Sequence, residues 1–400
     1  MKILIVHNRY QQRGGEDAVV ASEHDLLAAN GIEVETLEEN NDEITGLKGK
    51  LEASLSVFTG TKHSNDRVNA ALSNFRPDVV HVHNWFPTVS PSIFWKCHRA
   101  GIPVVTTIHN YRLLCVGATF FRDGRICEDC MSTTLRSPGV IHGCYRDSRA
   151  GSAVATAGML THWGAGTWHR AVDRFIALSN FSKQKLVEGG LPESKILVKQ
   201  NFVDPDPGMR TGRGGNYLFV GRLTEEKGVR TLIDCWKNGT DLPMLTFVGR
   251  GPLEEEVRTA AAVMKNVEWL GSRKSDEVSE LMGSAKAVLC PSLWYEAMPR
   301  VVIESMAVGT PVIASRIGSY PEMIAEGESG ILFASGNAND LLLRLRNLEA
   351  TGALAGMRAG ARLRYEMEYT GPKNFSLLIE IYEQVLAKAT AVSQVPVSVT

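Results

Sequence analysis

Short apolar runs that end in polar turns and give way to helix-spaced apolar residues recur along this whole chain, and few folds accommodate that rhythm. In the first half the runs are I-L-I-V (3–6), I-E-V-E-T-L (32–37), V-V-H-V-H-N (79–84), V-V-T-T-I-H-N-Y (104–111), F-I-A-L-S (175–179) and I-L-V (196–198). The stretch V-D-P-D-P-G-M-R-T-G-R-G-G (203–215) has no periodicity and reads as a linker. Beyond it the rhythm restarts at 217–220, 245–248, 267–270, 287–289, 311–314 and 330–333. Apolar strands joined through helices form parallel sheets covered on both faces. At 400 residues the chain exceeds what one core usually serves. The expected fold class is therefore α/β, with two Rossmann-like doubly wound domains, 1–204 and 205–374. An amphipathic helix follows within 375–390, and 391–400 reads as a mobile tail. The pattern does not resolve 38–66, and 150–170 is weakly patterned, as for a helix at the domain edge or against a membrane.

The densest chemistry lies in E-A-M-P-R-V-V-I-E (296–304), which reads as strand, loop and helix after Cys290-Pro291-Ser292. Pro299 suits the first helical turn, where no amide donor is lost. The amides of Met298, Arg300 and Val301 then point out of a helix N-terminus, a place that favours a diphosphate. Were the whole stretch helical, Glu296 and Glu304 would lie about 12 Å apart, roughly the span of a nucleotide sugar from ribose to hexose. One carboxylate is then read as binding ribose hydroxyls and the other those of the sugar. A helix with a solvated glutamate at each end explains the spacing equally well. In G-R-L-T-E-E-K-G (221–228), Arg222 and Lys227 flank a strand-to-helix turn and suit the same diphosphate, although a solvated charged loop is the simpler reading for E-E-K. G-R-G-P (249–252) supplies another glycine turn, with Gly249 and Gly251. In the first half, Gly14-Gly15 sits between a strand and a helix, either for close backbone approach to a ligand or as a flexible turn. Two successive strands end in His83-Asn84 and His109-Asn110, which favours a shared polar cleft over two isolated structural histidines.

Cys115, Cys127, Cys130 and Cys144 interrupt the regular alternation, with Cys127-Glu-Asp-Cys130 at zinc-knuckle spacing. A closed, structural, all-cysteine zinc site is expected, with His142 as a substitute ligand. Unrelated thiols, a redox pair or an iron–sulfur cluster are the alternatives. Cys97, Cys235 and Cys290 lie in apolar contexts and read as core. Lys+Arg 43 against Asp+Glu 44, with aromatics at 7%, gives no sign of a nucleic-acid partner. Met1-Lys2 leads into an apolar run too short for a signal peptide, and no run reaches the length of a membrane span. The expected compartment is the cytosol, extending to the inner face of the membrane, where the seven cysteines stay reduced and any membrane contact is peripheral.

Together G-R-L-T-E-E-K-G, V-G-R-G-P, E-A-M-P-R-V-V-I-E-S-M-A-V-G-T-P-V-I-A-S and the downstream P-E-M-I resemble the retaining glycosyltransferases of family four, in glycosyl transferases group one. R-G-G-E, P-D-V-V-H-V-H-N and T-I-H-N-Y extend the resemblance over nearly the whole chain. It implies the GT-B fold, with two Rossmann-like domains facing a central cleft. The C-terminal domain holds the donor, the N-terminal one the acceptor, and the last helix crosses back. It further implies catalytic or donor-diphosphate roles for Arg222 and Lys227, contact of Glu296 with the transferred sugar, and contact of Glu304 with the ribose. The amides from Met298 through Pro299 and Arg300 to Val301 complete the phosphate site, beside the turns of Gly221, Gly249 and Gly251. His109 reaches the donor sugar from the opposite domain, and Gly14-Gly15 lies at the cleft against phosphate or acceptor; His83, Asn84 and Asn110, from the strand ends, are read as part of the same acceptor-side cleft. The cysteine segment resembles a subset of these enzymes. No metal is needed for chemistry: the leaving phosphate takes the acceptor proton in a front-face attack, and no protein base is named. The co-substrate is a UDP- or GDP-sugar, and the acceptor a glycan or lipid-linked saccharide of cell-surface polysaccharide or glycolipid synthesis. Alternatives are a nucleotide-sugar epimerase on a related scaffold, or a catalytically silent binding subunit.

Overall fold

The computed structural model describes residues 1–9, 14–40, 46–210 and 214–393. The chain divides into two compact units. Met1–Thr119, Glu128–Gln200 and the chain from Pro372 form the first; Phe120–Cys127 and Asn201–Gly371 form the second. The divisions at 200/201 and 371/372 fall a few residues ahead of the boundaries read from sequence. Part of the cysteine-rich segment, 120–127, counts with the second unit and not with the first.

The first unit is built on strands β1 (Lys2–Arg9), β2 (Glu33–Asn40), β3 (Val79–Asn84) and β4 (Val104–Ile108). A two-stranded antiparallel hairpin, β5 (Phe121–Arg122) and β6 (Arg125–Ile126), intervenes before β7 (Arg174–Ala177) and β8 (Ile196–Val198). The six-stranded sheet is parallel, in the order β2-β1-β3-β4-β7-β8. Its interior strands are buried on both faces because helices cover both, and β3 is buried along its whole length, its two histidines included. At the edge, β2 alternates exposed glutamates with partly buried residues, as an edge strand with one covered side should. The core joins Ile3, Ile5, Val79, Val105 and Ile176 to Leu378, Ile381, Tyr382 and Val385 of the Gly371–Ser393 helix. That helix is longer than its amphipathic sequence signature, running through Ser393; the rest of the expected tail lies outside the described residues.

The second unit carries β9 (Tyr217–Val220), β10 (Leu245–Val248), β11 (Val267–Trp269), β12 (Ala287–Cys290), β13 (Val312–Ser315) and β14 (Gly330–Phe333). They pair in parallel in the order β11-β10-β9-β12-β13-β14. Tyr217, Phe247, Trp236 and Leu345 anchor its core. Each sheet reverses direction once, between β1 and β3 in the first and between β9 and β12 in the second. Open α/β sheets bind ligands outside the carboxyl ends of strands at such reversals.

Where the pattern was unresolved, the structure places helices at Gly46–Thr59 and Lys62–Asn74, with 41–45 outside the described residues. The weakly patterned stretch is the Arg149–Gly164 helix, which buries Ser152, Ala155, Gly158 and His162 within the first unit. Gly158 belongs there because a Cβ would fall 2.7 Å from a Val57 methyl. No helix among the described residues is long and apolar enough to cross a membrane.

Candidate functional site

At the reversal of the second sheet, β9 ends in Gly221-Arg222 and β12 in Pro291-Ser292. Gly228, at φ +71°, presses the first turn onto the second: a Cβ there would lie 1.9 Å from the Pro291 carbonyl oxygen. Only glycine permits that approach, and it sets Lys227 over the loop after β12. The Lys227 ammonium accordingly lies 2.6 Å from Glu296 Oε1 and over the Trp294 ring. Ser292 Oγ donates to the same carboxylate oxygen at 2.8 Å and lies 2.9 Å from the Tyr320 hydroxyl. Gly318 packs on the Glu296 backbone, where a Cβ would meet its amide nitrogen at 2.8 Å. Burial pushes the Glu296 carboxyl pKa up, but the Lys227 charge and the hydrogen bonds outweigh it and hold the group below its ordinary value. Lys227 and Glu296, read from sequence as touching separate parts of a ligand, are here direct partners.

The helix after this loop is Arg300–Ala307, with Pro299 at its N-cap, one position ahead of the first turn expected for it. Glu296 therefore precedes the helix, so the spacing of an unbroken helix does not apply between Glu296 and Glu304. Met298 is fixed from behind: its carbonyl accepts from Asn201 Nδ2 at 3.0 Å and its sulfur from the Asn201 amide at 3.2 Å. Arg300 Nε lies 3.4 Å from Glu304, whose side chain is 36% exposed. The amides of Arg300 and Val301 open the helix, where an N-terminus presents donors and partial positive charge. Arg222 is 57% exposed and only loosely paired with Glu226 at 3.5 Å. Gly249 and Gly251 have a packing reason of their own, since Cβ atoms there would lie 1.9 Å from the Gly221 oxygen and 2.5 Å from the Leu223 oxygen. Gly221 is not crowded in this way.

At the reversal of the first sheet, Asn84 Nδ2 donates to the Asn8 carbonyl at 2.7 Å, and Asn84 Oδ1 accepts the Phe86 amide at 3.0 Å. Asn8 Nδ2 donates to the Phe86 carbonyl at 2.8 Å. Asn84 thus stitches β1 to the turn after β3, and it also lines the hollow at the carboxyl ends of β3 and β4. Asn110 Oδ1 accepts the Arg112 amide at 3.0 Å. His83 and His109 do come together: His83 Nδ1 lies 2.9 Å from His109 Nε2, with the rings stacked. Behind them, His83 Nε2 is 3.3 Å from Glu23 Oε2, and Glu23 Oε1 takes the Lys199 ammonium at 2.6 Å. Burial pulls the His81, His83 and His109 pKa values down, well below the ordinary value for His81 and His109, so the rings are neutral near pH 7. Burial acts to raise the Glu23 pKa, but Lys199 and the imidazoles overcome it and the carboxyl stays ionised. Gly14 and Gly15 are exposed at the start of the Gly15–Ala29 helix, and Asp17 holds Gly14 by accepting its amide at 2.7 Å and His7 Nε2 at 2.8 Å. A Cβ at either glycine would meet nothing within 4 Å among the described residues, so their packing does not require glycine there.

Comparison with known proteins decides the family. Residues 213–361 match the model described as glycosyl transferases group 1, and residues 9–207 match that of glycosyltransferase family 4. The chain belongs to the group 1 glycosyltransferases. It is 30% identical over 229 residues to the amylovoran biosynthesis glycosyltransferase AmsK of Erwinia amylovora, covering 52% of this chain and 56% of that one. It is 28% identical to the phosphatidyl-myo-inositol mannosyltransferase of Mycobacterium leprae, covering 85% of this chain and 81% of that one. Among the first curated relatives it spans 56%, 49% and 63% of their lengths. The solved structure of Anabaena HepE in complex with UDP superposes with TM-score 0.67 at 16% identity, over 96% of this chain and 100% of that one. The fold of this group 1 glycosyltransferase is GT-B, two parallel-sheet α/β domains.

Several residues of these two polar clusters escaped sequence reasoning. Glu23 falls on the apolar stripe of its helix, among Val19, Val20, Leu26 and Leu27, and a lone carboxylate on a buried face was the available signal. Lys199 directly follows an apolar strand. Ser292 lies only four residues before Glu296, whereas nothing local marks Asn201 or Tyr320, whose partners Met298 and Ser292 are distant in sequence. The four cysteines of the expected zinc site form no disulfide and are divided between the units, Cys127 with the second and Cys115, Cys130 and Cys144 with the first; among the described residues they are not in the one group of three or more ligating side chains close enough to share an ion. Cys130 Sγ lies 3.8 Å from the Arg136 carbonyl, and burial lowers the Arg136 pKa. Cys144 packs at Gly117, whose Cβ would meet its carbonyl oxygen at 3.2 Å. His142, the substitute ligand, is exposed.

Proposed function

We propose that this chain is a retaining glycosyltransferase that moves a sugar from a nucleotide-diphosphate sugar to a glycan or lipid-linked acceptor of cell-surface polysaccharide or glycolipid synthesis. The observation that carries the reading is the cluster of Lys227, Glu296 and Arg222 at the reversal of the second sheet, beside the N-terminus of the Arg300–Ala307 helix. In this reading Arg222, Lys227 and the amides from Met298 to Val301 hold the diphosphate and stabilise the charge growing on it as the anomeric C–O bond breaks. Glu296, ionised and oriented by Ser292 and Lys227, accepts hydrogen bonds from the transferred sugar, and Glu304 from the ribose. The departing phosphate takes the acceptor proton, so no protein base is assigned. Gly14 and Gly15 let the acceptor or the phosphate approach the backbone, and His109 contacts the donor sugar. UDP is the favoured base, since HepE has been solved with UDP, with UDP and glucose, and with UDP-glucose. Polysaccharide synthesis is favoured because AmsK and the colanic acid glycosyltransferase WcaL of Escherichia coli are named for it.

Thermal-shift screening of UDP- and GDP-sugars should find a donor that raises Tm, because a ligand bound only by the native state stabilises it by mass action. With that donor and a released-UDP assay, Glu296→Ala should lose about a hundredfold or more in kcat while still binding UDP. Unchanged turnover would remove Glu296 from the reaction.

A further inference from the structure

The buried polar chain behind β3 and β4 runs Lys199, Glu23, His83, His109, and its hydrogen-bond logic has one consistent solution. Lys199 and Glu23 are fully buried, and the ammonium occupies Glu23 Oε1 at 2.6 Å while also reaching Asn374 Oδ1 at 3.2 Å. An ionised carboxylate only accepts. Its other oxygen, Oε2, and His83 Nε2 lie 3.3 Å apart, and both are buried with no hydrogen-bond partner formed among the described residues, so each is the nearest group that can satisfy the other. His81 Nδ1, at 3.7 Å, is farther and already meets the Tyr382 hydroxyl at 2.8 Å. The proton of neutral His83 therefore sits on Nε2, which leaves a lone pair on Nδ1. His109 Nε2, 2.9 Å from that lone pair, must be the donor. The proton of His109 is then spent, and its Nδ1 is unprotonated. His109 is half-buried and lines a hollow with Trp85, Thr107, Asn110 and Arg112 at the carboxyl ends of β3 and β4.

We propose that Glu23 is a positioning residue that fixes, through His83, the tautomer of His109, so that His109 offers a sugar hydroxyl a hydrogen-bond acceptor and not a donor. The sugar as occupant rests on the glycosyltransferase reading above; the proton arrangement does not. Glu23, His81 and His83 also present ligand atoms within 4.8 Å of one another, as in a metal site. The Lys199 ammonium already neutralises the carboxylate, however, and a second cation beside it would be repelled.

Histidine-selective 15N labelling reads the tautomer directly, with the His109 signal assigned by its loss in His109→Asn. Wild-type protein should show His109 protonated at Nε2. In Glu23→Gln, Lys199 keeps the side-chain oxygen, the amide turns its N–H toward His83, and both imidazoles reverse; His109 should then be protonated at Nδ1. With the screened donor, kcat/KM should fall about ten- to hundredfold, as for one mismatched hydrogen bond. A wild-type His109 protonated at Nδ1 overturns the proposal, as does a tautomer that survives Glu23→Gln. Stoichiometric metal that Glu23→Gln removes overturns it in favour of a metal site. Should Glu23→Gln not fold, the wild-type spectrum decides alone. If no transferase turnover is found, the tautomer result still stands or falls by itself.

Discussion

At the carboxyl edge of the first sheet the charges are consumed inside the protein, Lys199 against Glu23 with three neutral imidazoles beside them, whereas at the same edge of the second sheet Arg222 is left 57% exposed and Lys227 is 22% exposed over its carboxylate. Both edges occur at the reversal of a six-stranded parallel sheet, so topology supplies the location in each case and not the chemistry. The first edge is suited to directional recognition of neutral hydroxyls, and the second to an anion. The glycines divide the same way. Gly228, Gly249 and Gly251 are required by packing against backbone, while Gly14 and Gly15 have no such neighbour among the described residues.

If the first edge holds an internally balanced charge, Lys199→Met should be the most damaging of the discriminating substitutions. It leaves Glu23 buried and ionised without its partner, a loss of about 4 kcal/mol measurable by urea unfolding. A loss below about 1 kcal/mol would mean that water reaches the pair, and the contrast between the edges would disappear.

Gly249→Ala is expected to cost about 3 kcal/mol, because a Cβ 1.9 Å from the Gly221 oxygen forces the two turns apart at φ +138°. Full stability would show that these turns are held by something other than backbone contact.

Lys227→Met sharpens the electrostatic side and should cost about 2 kcal/mol at neutral pH, since the pair is partly exposed. In the wild type, Glu296 has a folded pKa below its unfolded one, so its contribution is present above the unfolded value and is lost as pH falls through the folded value. In the variant, burial acts without its counterweight and raises the carboxyl pKa above the ordinary range. The variant's deficit should therefore shrink between pH 7 and about pH 5, as the buried group takes up a proton. A deficit that does not change with pH would mean that Glu296 is not governed by Lys227.

The smallest stability effect is expected for Gly14→Ala, within about 0.5 kcal/mol of wild type. If the glycine is there for a ligand, kcat/KM should nonetheless fall. A variant with unchanged activity would return Gly14 to the role of an unremarked turn.

Periodicity was enough to reveal the two doubly wound domains, because a strand buried on both faces has to be apolar along its length and a turn has to be polar. The same reasoning exposed the Arg222–Lys227 turn, the Glu296–Glu304 stretch and the paired histidines, all of which lie next to such strands. It located Asn84 but not the bonds its side chain makes to Asn8 and Phe86, because hydrogen-bond partners across strands leave no mark on either strand's sequence. Pro299 was misplaced by one residue for a related reason, since a proline fits the N-cap and the first turn alike.

The order of apolar and polar residues thus determined the two sheets, their helices and the edges at which polar residues gather, since burial and hydrogen-bond period act locally. Only the tertiary structure decided that Lys227 meets Glu296, that Lys199 and Glu23 close a buried pair, and that the Gly371–Ser393 helix completes the core begun by β1. Those contacts join residues far apart in the chain, and side-chain charge and hydrogen-bonding capacity say what a group needs without saying which distant group will supply it.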